Sequence, residues 1–440
     1  MLDVIVIGGG FAGVTAAREL AVAGRRVALL EARDRLGGRT WTSTWGEHTV
    51  ELGGGWVHWF QPHVFAELTR AGLELAESHW AGHPEYAWLL ADGTLRTGDT
   101  QRRRALAAKS FGTLERLSAQ VLPRPHDPLF RRDELEAVDR LSIGEWLSSL
   151  EVDEEARAIA SGELCGVAHG FLEETGLTAA LRWWALAGFS SSLAADAAGR
   201  YTIRQGTRPL IEAIAGQASF EQQLGVHVAR IEQDGESARA IASDGTVYEA
   251  RRIVCAVPLN TLGAIEFRPG LADDKQAAIA CGQPSRGSKI WIEVRGTRTP
   301  RLVTAPGGHP LNYLMSEREL PHGQLLVAFC EDAERMPPDD LEATRAAVEQ
   351  LWPGLDIVGV HGHDWLADPL SQGTWAAHRP GWYLDHHRAL QQPEGRIVFA
   401  SGDIAEGWAG FIDGAIESGL RAARAVLVQG SRQDASSGRA

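Results

Sequence analysis

Residues 3–13 read Asp-Val-Ile-Val-Ile-Gly-Gly-Gly-Phe-Ala-Gly, and their order decides the fold. The β-branched run Val4 to Ile7 reads as a strand buried in a parallel sheet. Gly8, Gly10 and Gly13 supply a tight turn, a close backbone approach to a pyrophosphate, and close packing of helix on strand. Phe11 and Ala12 fall in the phosphate-facing turn, and the Ala- and Leu-rich stretch from Val14 to Ala23 continues as a helix with its N-terminus toward the phosphates. A second strand, Val27 to Leu30, delivers Glu31 where a carboxylate can take the ribose hydroxyls of an adenosine, with Ala32 and Arg33 beside it. Strand, glycines, helix, strand and acid in this order make an ordinary Gly-rich loop a poor alternative.

The continuation separates two dinucleotides. Gly37-Gly38-Arg39-Thr40 brings backbone amides up a second time, and Arg39 can neutralise pyrophosphate or lie beside a flavin. Nicotinamide binding requires no such second loop, so FAD is the expected cofactor and an NAD-dependent dehydrogenase the alternative.

Composition narrows the class. The chain has 440 residues, enough for two packed domains, and a net charge of −14 that argues against nucleic acid as a partner. Arg102-Arg103-Arg104 is a short basic cluster that reads as a solvated helix face. No apolar run approaches the roughly 18 residues that span a bilayer, and no signal peptide is expected. The scattered Cys165, Cys255, Cys281 and Cys330 suit buried thiols in a reducing cytoplasm, and the histidines show no metal-ligand spacing, so no metal is expected.

The expected fold class is α/β: a Rossmann-type FAD-binding domain assembled from three segments, plus an α+β substrate domain. The segments are residues 1–79, 201–283 and 388–428; residues 80–200 and 284–387 form the substrate domain, and 429–440 are expected to be a disordered tail. The second segment holds the alternating stretches 226–231 and 238–241, a short strand at 246–248 and a buried strand from Arg252 to Pro258, with Val228 a further cofactor contact. The third holds a strand ending at Gly402-Asp403, suited to the diphosphate and ribityl chain, and a helix opening near Gly410. Amides near Phe411 and Ile412 at that helix start can hydrogen-bond the flavin O2, with Ala415 one turn on.

In these motifs the chain resembles the flavin-dependent monoamine oxidases, over nearly its whole length and in the same order of blocks. The matches are the paired Gly loops with Glu31; Glu51-Leu52-Gly53-Gly54-Gly55-Trp56; Gly287-Ser288-Lys289; Gly373-Thr374-Trp375; and Phe399 to Asp403 leading into Trp408-Ala-Gly410-Phe411. Gly53 to Pro62 looks most like bacterial oxidases of nicotine-derived amines. Gly53 to Gly55 would leave a surface free of side chains for a flat isoalloxazine, and Gly54, Gly55 and Trp56 are its expected contacts.

The resemblance implies three catalytic residues. Lys289 is placed against flavin N5 through a water, and Trp375 and Phe411 stand where the family has two aromatic rings flanking the amine. Such a slot is apolar and favours the free amine that hydride loss requires. The implied reaction is oxidation of a primary or secondary amine to an imine by hydride transfer to N5. Hydrolysis then gives an aldehyde or ketone, and reoxidation is by O2 with H2O2 formed, or by a protein electron acceptor. An L-amino acid oxidase, or another flavoprotein oxidase or dehydrogenase of the superfamily, is the alternative.

Three departures matter. The pair is Trp and Phe where relatives usually have two tyrosines, which changes the slot width. Some relatives tether FAD through a cysteine where this chain has Thr374, so FAD is expected to be non-covalent. Gln205-Gly206 replaces a common Gly pair, and no membrane anchor is expected after the closing helix. Trp56, His58, Trp59, Trp183 and Trp184 are candidate cavity walls, neither His58 nor His169 is assigned as a base, and a homodimer is left open.

Overall fold

Leu2–Ile7 alternates between two cores, and this alternation organises the molecule. Val4 and Val6 enter one apolar cluster while Ile5 and Ile7 enter another, as the two-residue period of a strand requires. In this computed structural model, which describes residues 2–81 and 84–437, the strand lies parallel to Val247–Cys255 on one side and to Val27–Glu31 on the other. The eight-stranded sheet runs in the order Glu266–Arg268, Val228–Gln233, Ala238–Ala242, Val247–Cys255, Leu2–Ile7, Val27–Glu31, Glu221–Leu224, with Ile397–Phe399 pairing parallel to Val247–Cys255 off this path. The helices Phe11–Val22, Pro62–Ala71, Thr207–Ala215 and Ile412–Ser437 pack together over the face that carries Val4 and Val6.

A second, seven-stranded sheet runs Asp356–Gly362, Lys289–Arg295, Gly323–Phe329, Tyr313–Leu320, Arg301–Thr304, Glu85–Leu89, Leu95–Gly98. Ile290, Ile292 and Val294 share a cluster with Leu351 and Val348 of the helix Leu341–Leu351, whereas Trp291 joins the cluster shared with the first sheet. Lys289 therefore faces the first sheet with Trp291, by the same two-residue period. The helix Glu154–Ala168 lies across Arg301–Thr304 and Tyr313–Leu320 and packs against Thr100–Val121 and Leu177–Leu186.

The expected strands at 246–248 and Arg252–Pro258 are one strand, Val247–Cys255. Its first part pairs antiparallel with Ala238–Ala242 and its second part parallel with Leu2–Ile7, so one continuous backbone serves two ladders. The tail expected from 429 is instead helical as far as Ser437, with residues 438–440 outside the described residues. Residues 429–437 have no proline and one glycine, Gly430, so nothing in them forces the preceding helix to stop. Among the described residues no helix is long and apolar enough to cross a membrane, and no group of three His, Cys, Asp or Glu could hold a metal ion.

Candidate active site

The first glycine loop is glycine for packing reasons that differ by position. Gly13 lies so close to the first strand that a Cβ there would stand 1.9 Å from the Gly8 carbonyl oxygen. Gly8 has φ +103°, and its Cβ would meet the Ala256 oxygen at 2.7 Å. Gly10 is open: the nearest atom to its Cβ would be the Gly38 Cα at 3.9 Å. The two Gly loops are thus joined back to back, with the Gly37 amide donating to Gly9 at 2.9 Å, and they leave an open backbone face at Gly10. Glu31 closes this cradle, accepting from the Gly9 amide and, at 2.8 Å, from the Arg33 amide. Arg33 itself leans away to pair with Asp368 at 3.0 Å.

Arg39 is held from both sides of the chain. It donates to the Thr374 carbonyl at 2.7 Å and pairs with Asp403, whose other oxygen accepts from the Leu259 amide at 2.7 Å. Asp403 is fully buried and its carboxylate is committed to these protein partners. It positions Arg39 and does not itself reach the cavity wall.

The shelf at residues 51–55 is pinned by three side chains on consecutive carbonyls. Trp291 Nε1 donates to Glu51 at 2.9 Å, Trp365 Nε1 to Leu52 at 3.0 Å, and Lys289 Nζ to Gly53 at 3.0 Å. A Cβ at Gly53 would stand 2.0 Å from the Arg39 oxygen and one at Gly55 3.0 Å from Glu51 Cβ, so both glycines serve close packing. Gly54 alone has room, with nothing nearer than Thr40 Cγ2 at 3.8 Å. The side-chain-free surface expected from three glycines is centred on one.

Lys289 is 3% exposed, and its ammonium lies 4.1 Å from the centroid of the Trp56 ring. Burial pushes it down to about 8, against the pull of the Glu51 and Glu317 carboxylates. Burial pushes Glu317 up to about 7, offset by the Lys289 charge and by the Ser78 hydroxyl, which donates to it at 3.1 Å. Glu51 is also raised by burial, with hydrogen bonds from Thr42 and Thr207 acting the other way.

Trp375 stacks on the His169 ring at 4.0 Å with an interplanar angle of 8°, and its Nε1 donates to the Val167 carbonyl at 3.0 Å. His169 ends the helix Glu154–Ala168 in a left-handed conformation, φ 45°. Its Nε2 lies 3.1 Å from the Ser288 carbonyl and its Nδ1 2.7 Å from the Thr374 hydroxyl. The network assigns the proton to Nε2 and makes Nδ1 the acceptor. Burial pushes this histidine down to about 3, the nearby Lys289 charge adding to the effect, so it is a neutral prop for Trp375 and no proton carrier. Phe411 meets Trp183 edge-on at 4.8 Å and Trp408 at 5.1 Å.

One cavity runs from the cradle to these rings. Gly8, Gly10, Phe11, Ala12, Glu31, Ala32, Arg33, Gly38, Arg39, Gly54, Gly55, Trp56, Val228, Gly402, Phe411, Ile412 and Ala415 line it, together with Lys289 and Trp375. Gly13 and Asp403 are off the wall, behind it. His58 and Trp59 are not wall residues either: they stack on each other at 4.0 Å, and Trp59 is 47% exposed. Of the two amides proposed at the closing helix, that of Phe411 donates to Trp408 at 3.1 Å, while that of Ile412 has no acceptor among the described residues. Sequence reasoning missed Glu163, Tyr313, Met315 and Phe329, all on the wall, and left His169 unassigned.

These features suit FAD. The open backbone at Gly10, the acid at the end of the second strand, the free Ile412 amide at a helix start and the flat opening at Gly54 would take, in turn, pyrophosphate, ribose, a ring oxygen and a ring face.

Known proteins agree. The sequence model of the family described as "Flavin containing amine oxidoreductase" matches residues 11–427. The chain is 38% identical over 428 residues to a pseudooxynicotine dehydrogenase of Pseudomonas sp, covering 95% of this chain and 84% of that one. It is 30% identical over 451 residues to an (S)-6-hydroxynicotine oxidase of Paenarthrobacter nicotinovorans, covering 97% and 100%. The fold matches a putrescine oxidase bound to putrescine with TM-score 0.83 and 22% identity, over 97% of this chain and 99% of that one. The chain is therefore an oxidoreductase that uses FAD and acts on amine donors, a member of the flavin-containing amine oxidoreductase family.

Proposed function

We propose that the chain oxidises a secondary or primary amine of the aryl-alkyl type to an imine, which water hydrolyses to a ketone or aldehyde. FAD, bound without a covalent link, supplies the two-electron acceptor, and O2 restores it with formation of H2O2. The observation that carries this reading is the convergence on one cavity of Trp375, Phe411 and the buried Lys289 beside the Gly54 shelf. The rings orient the amine and exclude water, which favours its neutral form. Lys289 holds an ammonium fixed by the Gly53 carbonyl and Trp56, where it can steady negative charge. Thr374 offers no sulfur, and its hydroxyl is engaged with His169.

Anaerobic mixing with a panel of amines tests it. Bleaching of the flavin by secondary aryl-alkylamines, and recovery of colour on admitting air with stoichiometric H2O2, is expected; no bleaching by any amine would overturn it. A dehydrogenase using a protein electron acceptor is the second reading, favoured by the name of the Pseudomonas relative. Slow recovery in air would select it.

A further inference from the structure

A carboxylate faces the cavity of this amine enzyme at a distance from the reacting end. Glu163 lies on the helix Glu154–Ala168, six residues before His169, the ring that backs Trp375. At a rise of about 1.5 Å per residue its Cα stands about 9 Å along the helix axis from that of His169. Gly166 lies between them on the same face and abuts Tyr313, whose ring carbon would be 3.9 Å from a Cβ there. All four line the cavity. The helix sits flush on the second sheet: a Cβ at Gly162 would lie 2.7 Å from Thr304 Cβ.

Glu163 is 17% exposed and pairs through one oxygen, Oε1, with Arg103, which is 15% exposed and stacks over Tyr86 at 4.7 Å. No other hydrogen bond to the carboxylate occurs among the described residues. Arg103 offsets the charge, so the carboxylate does not require a second cation. An apolar ligand filling the cavity would strip water from its other oxygen and leave it unpaired, which is costly in a closed site. A ligand bringing an O–H or N–H to that place restores the lost bond.

We propose that Glu163 is a specificity determinant that accepts a hydrogen bond from a neutral donor at the distal end of the substrate. The amines taken would then be aryl-alkylamines carrying a hydroxyl or ring N–H at the end remote from the amine. The inference rests on the amine-oxidising reading above and adds to it which amines are selected.

Three probes of one skeleton test it: N-methyl-2-phenylethylamine, its 4-hydroxy derivative and its 4-methoxy derivative. Anaerobic stopped-flow reduction of the holoenzyme gives a Kd and a limiting rate for each. The hydroxy compound is expected to bind about tenfold or more tighter than the phenyl and methoxy compounds, the size of one hydrogen bond to a charged acceptor. E163L should abolish that ratio, with the change in Kd and not in limiting rate, and E163Q, which keeps a neutral accepting oxygen, should retain a smaller ratio of about threefold. The double variant R103L/E163L removes both charges and controls for an unpaired Arg103; it should lose the ratio equally. A wild-type protein indifferent to the hydroxyl, or an E163L variant that keeps the ratio, overturns the inference while amine oxidation stands. If no amine reduces the flavin, the reading beneath it fails instead.

Discussion

The ammonium of Lys289 should give the reaction with O2 a falling pH profile with a midpoint near 8. The group has no solvent to share its charge: it is 3% exposed, donates to the Gly53 carbonyl and lies over Trp56. Burial brings it down to about 8, and Glu51 and Glu317 keep it from falling further. The charged form is therefore the main one below that pH and the neutral amine above it. With a midpoint at 8, about nine-tenths of the protein carries the ammonium at pH 7 and about one-tenth at pH 9. If only the charged form steadies negative charge on reduced oxygen, the bimolecular rate constant should drop about tenfold over that interval. The assay is stopped-flow mixing of anaerobically reduced protein with oxygenated buffer, which separates this step from substrate ionisation. Lys289→Met should be slow throughout and flat with pH, yet keep its FAD. A flat wild-type profile between pH 7 and 9, or a Lys289→Met variant that reoxidises at the wild-type rate, would refute the role given to the charge.

Other substitutions address the remaining parts of the site. Acid precipitation should release all flavin into the supernatant; yellow pellets would contradict non-covalent binding at Thr374. Trp375→Ala should lower the limiting rate of flavin reduction by about a hundredfold through lost orientation while the protein stays coloured, and wild-type reduction kinetics would discard the slot. Thr374→Val deprives the buried His169 Nδ1 of its donor, at a cost of about 1–3 kcal/mol read by thermal or urea unfolding, and a change below about 0.5 kcal/mol would remove the prop. Gly13→Ala should fail to take up FAD, because its Cβ would collide with the Gly8 carbonyl at 1.9 Å; retention of yellow colour would show that the loop can yield.

The cofactor half of the site is legible because its parts are contiguous in the chain. The close approach of Gly13 to the Gly8 carbonyl lies within one loop, and a constraint so local must be written in neighbouring residues, whereas Gly8 itself packs against Ala256 of a distant strand. Lys289 and Trp375 were identified through motif resemblance, since a lysine at a strand start and a tryptophan after Gly-Thr carry no local signal of burial. Asp403 shows the converse. It was read as a cofactor contact from its place after a strand, whereas both oxygens bind protein donors more than 140 residues away in sequence, Arg39 at a separation of 364 and Leu259 at 144. No pattern within one segment could reveal those partners.

The substrate half was illegible for the same reason carried further. Its wall is composed of single residues from elements that meet only when two sheets and a helical layer pack: Glu163 from a helix, Tyr313, Met315 and Phe329 from two strands, Trp183 from a third direction. One signal was available. Glu163 falls in the middle of a helix whose flanking Ile159, Leu164 and Val167 are core residues, and a charge among them either is an error of packing or has a partner. Arg103, in the triplet read as an exposed basic face, is that partner. The pair explains why the triplet is not uniformly solvated: Arg102 pairs with Glu155 nearer the solvent and Arg103 turns inward to Glu163. A buried ion pair adds little net stability against an apolar replacement, so its presence beside a cavity points to selection by what the cavity holds. Stability of R103L/E163L equal to or above wild type, with selectivity lost, would separate the two explanations.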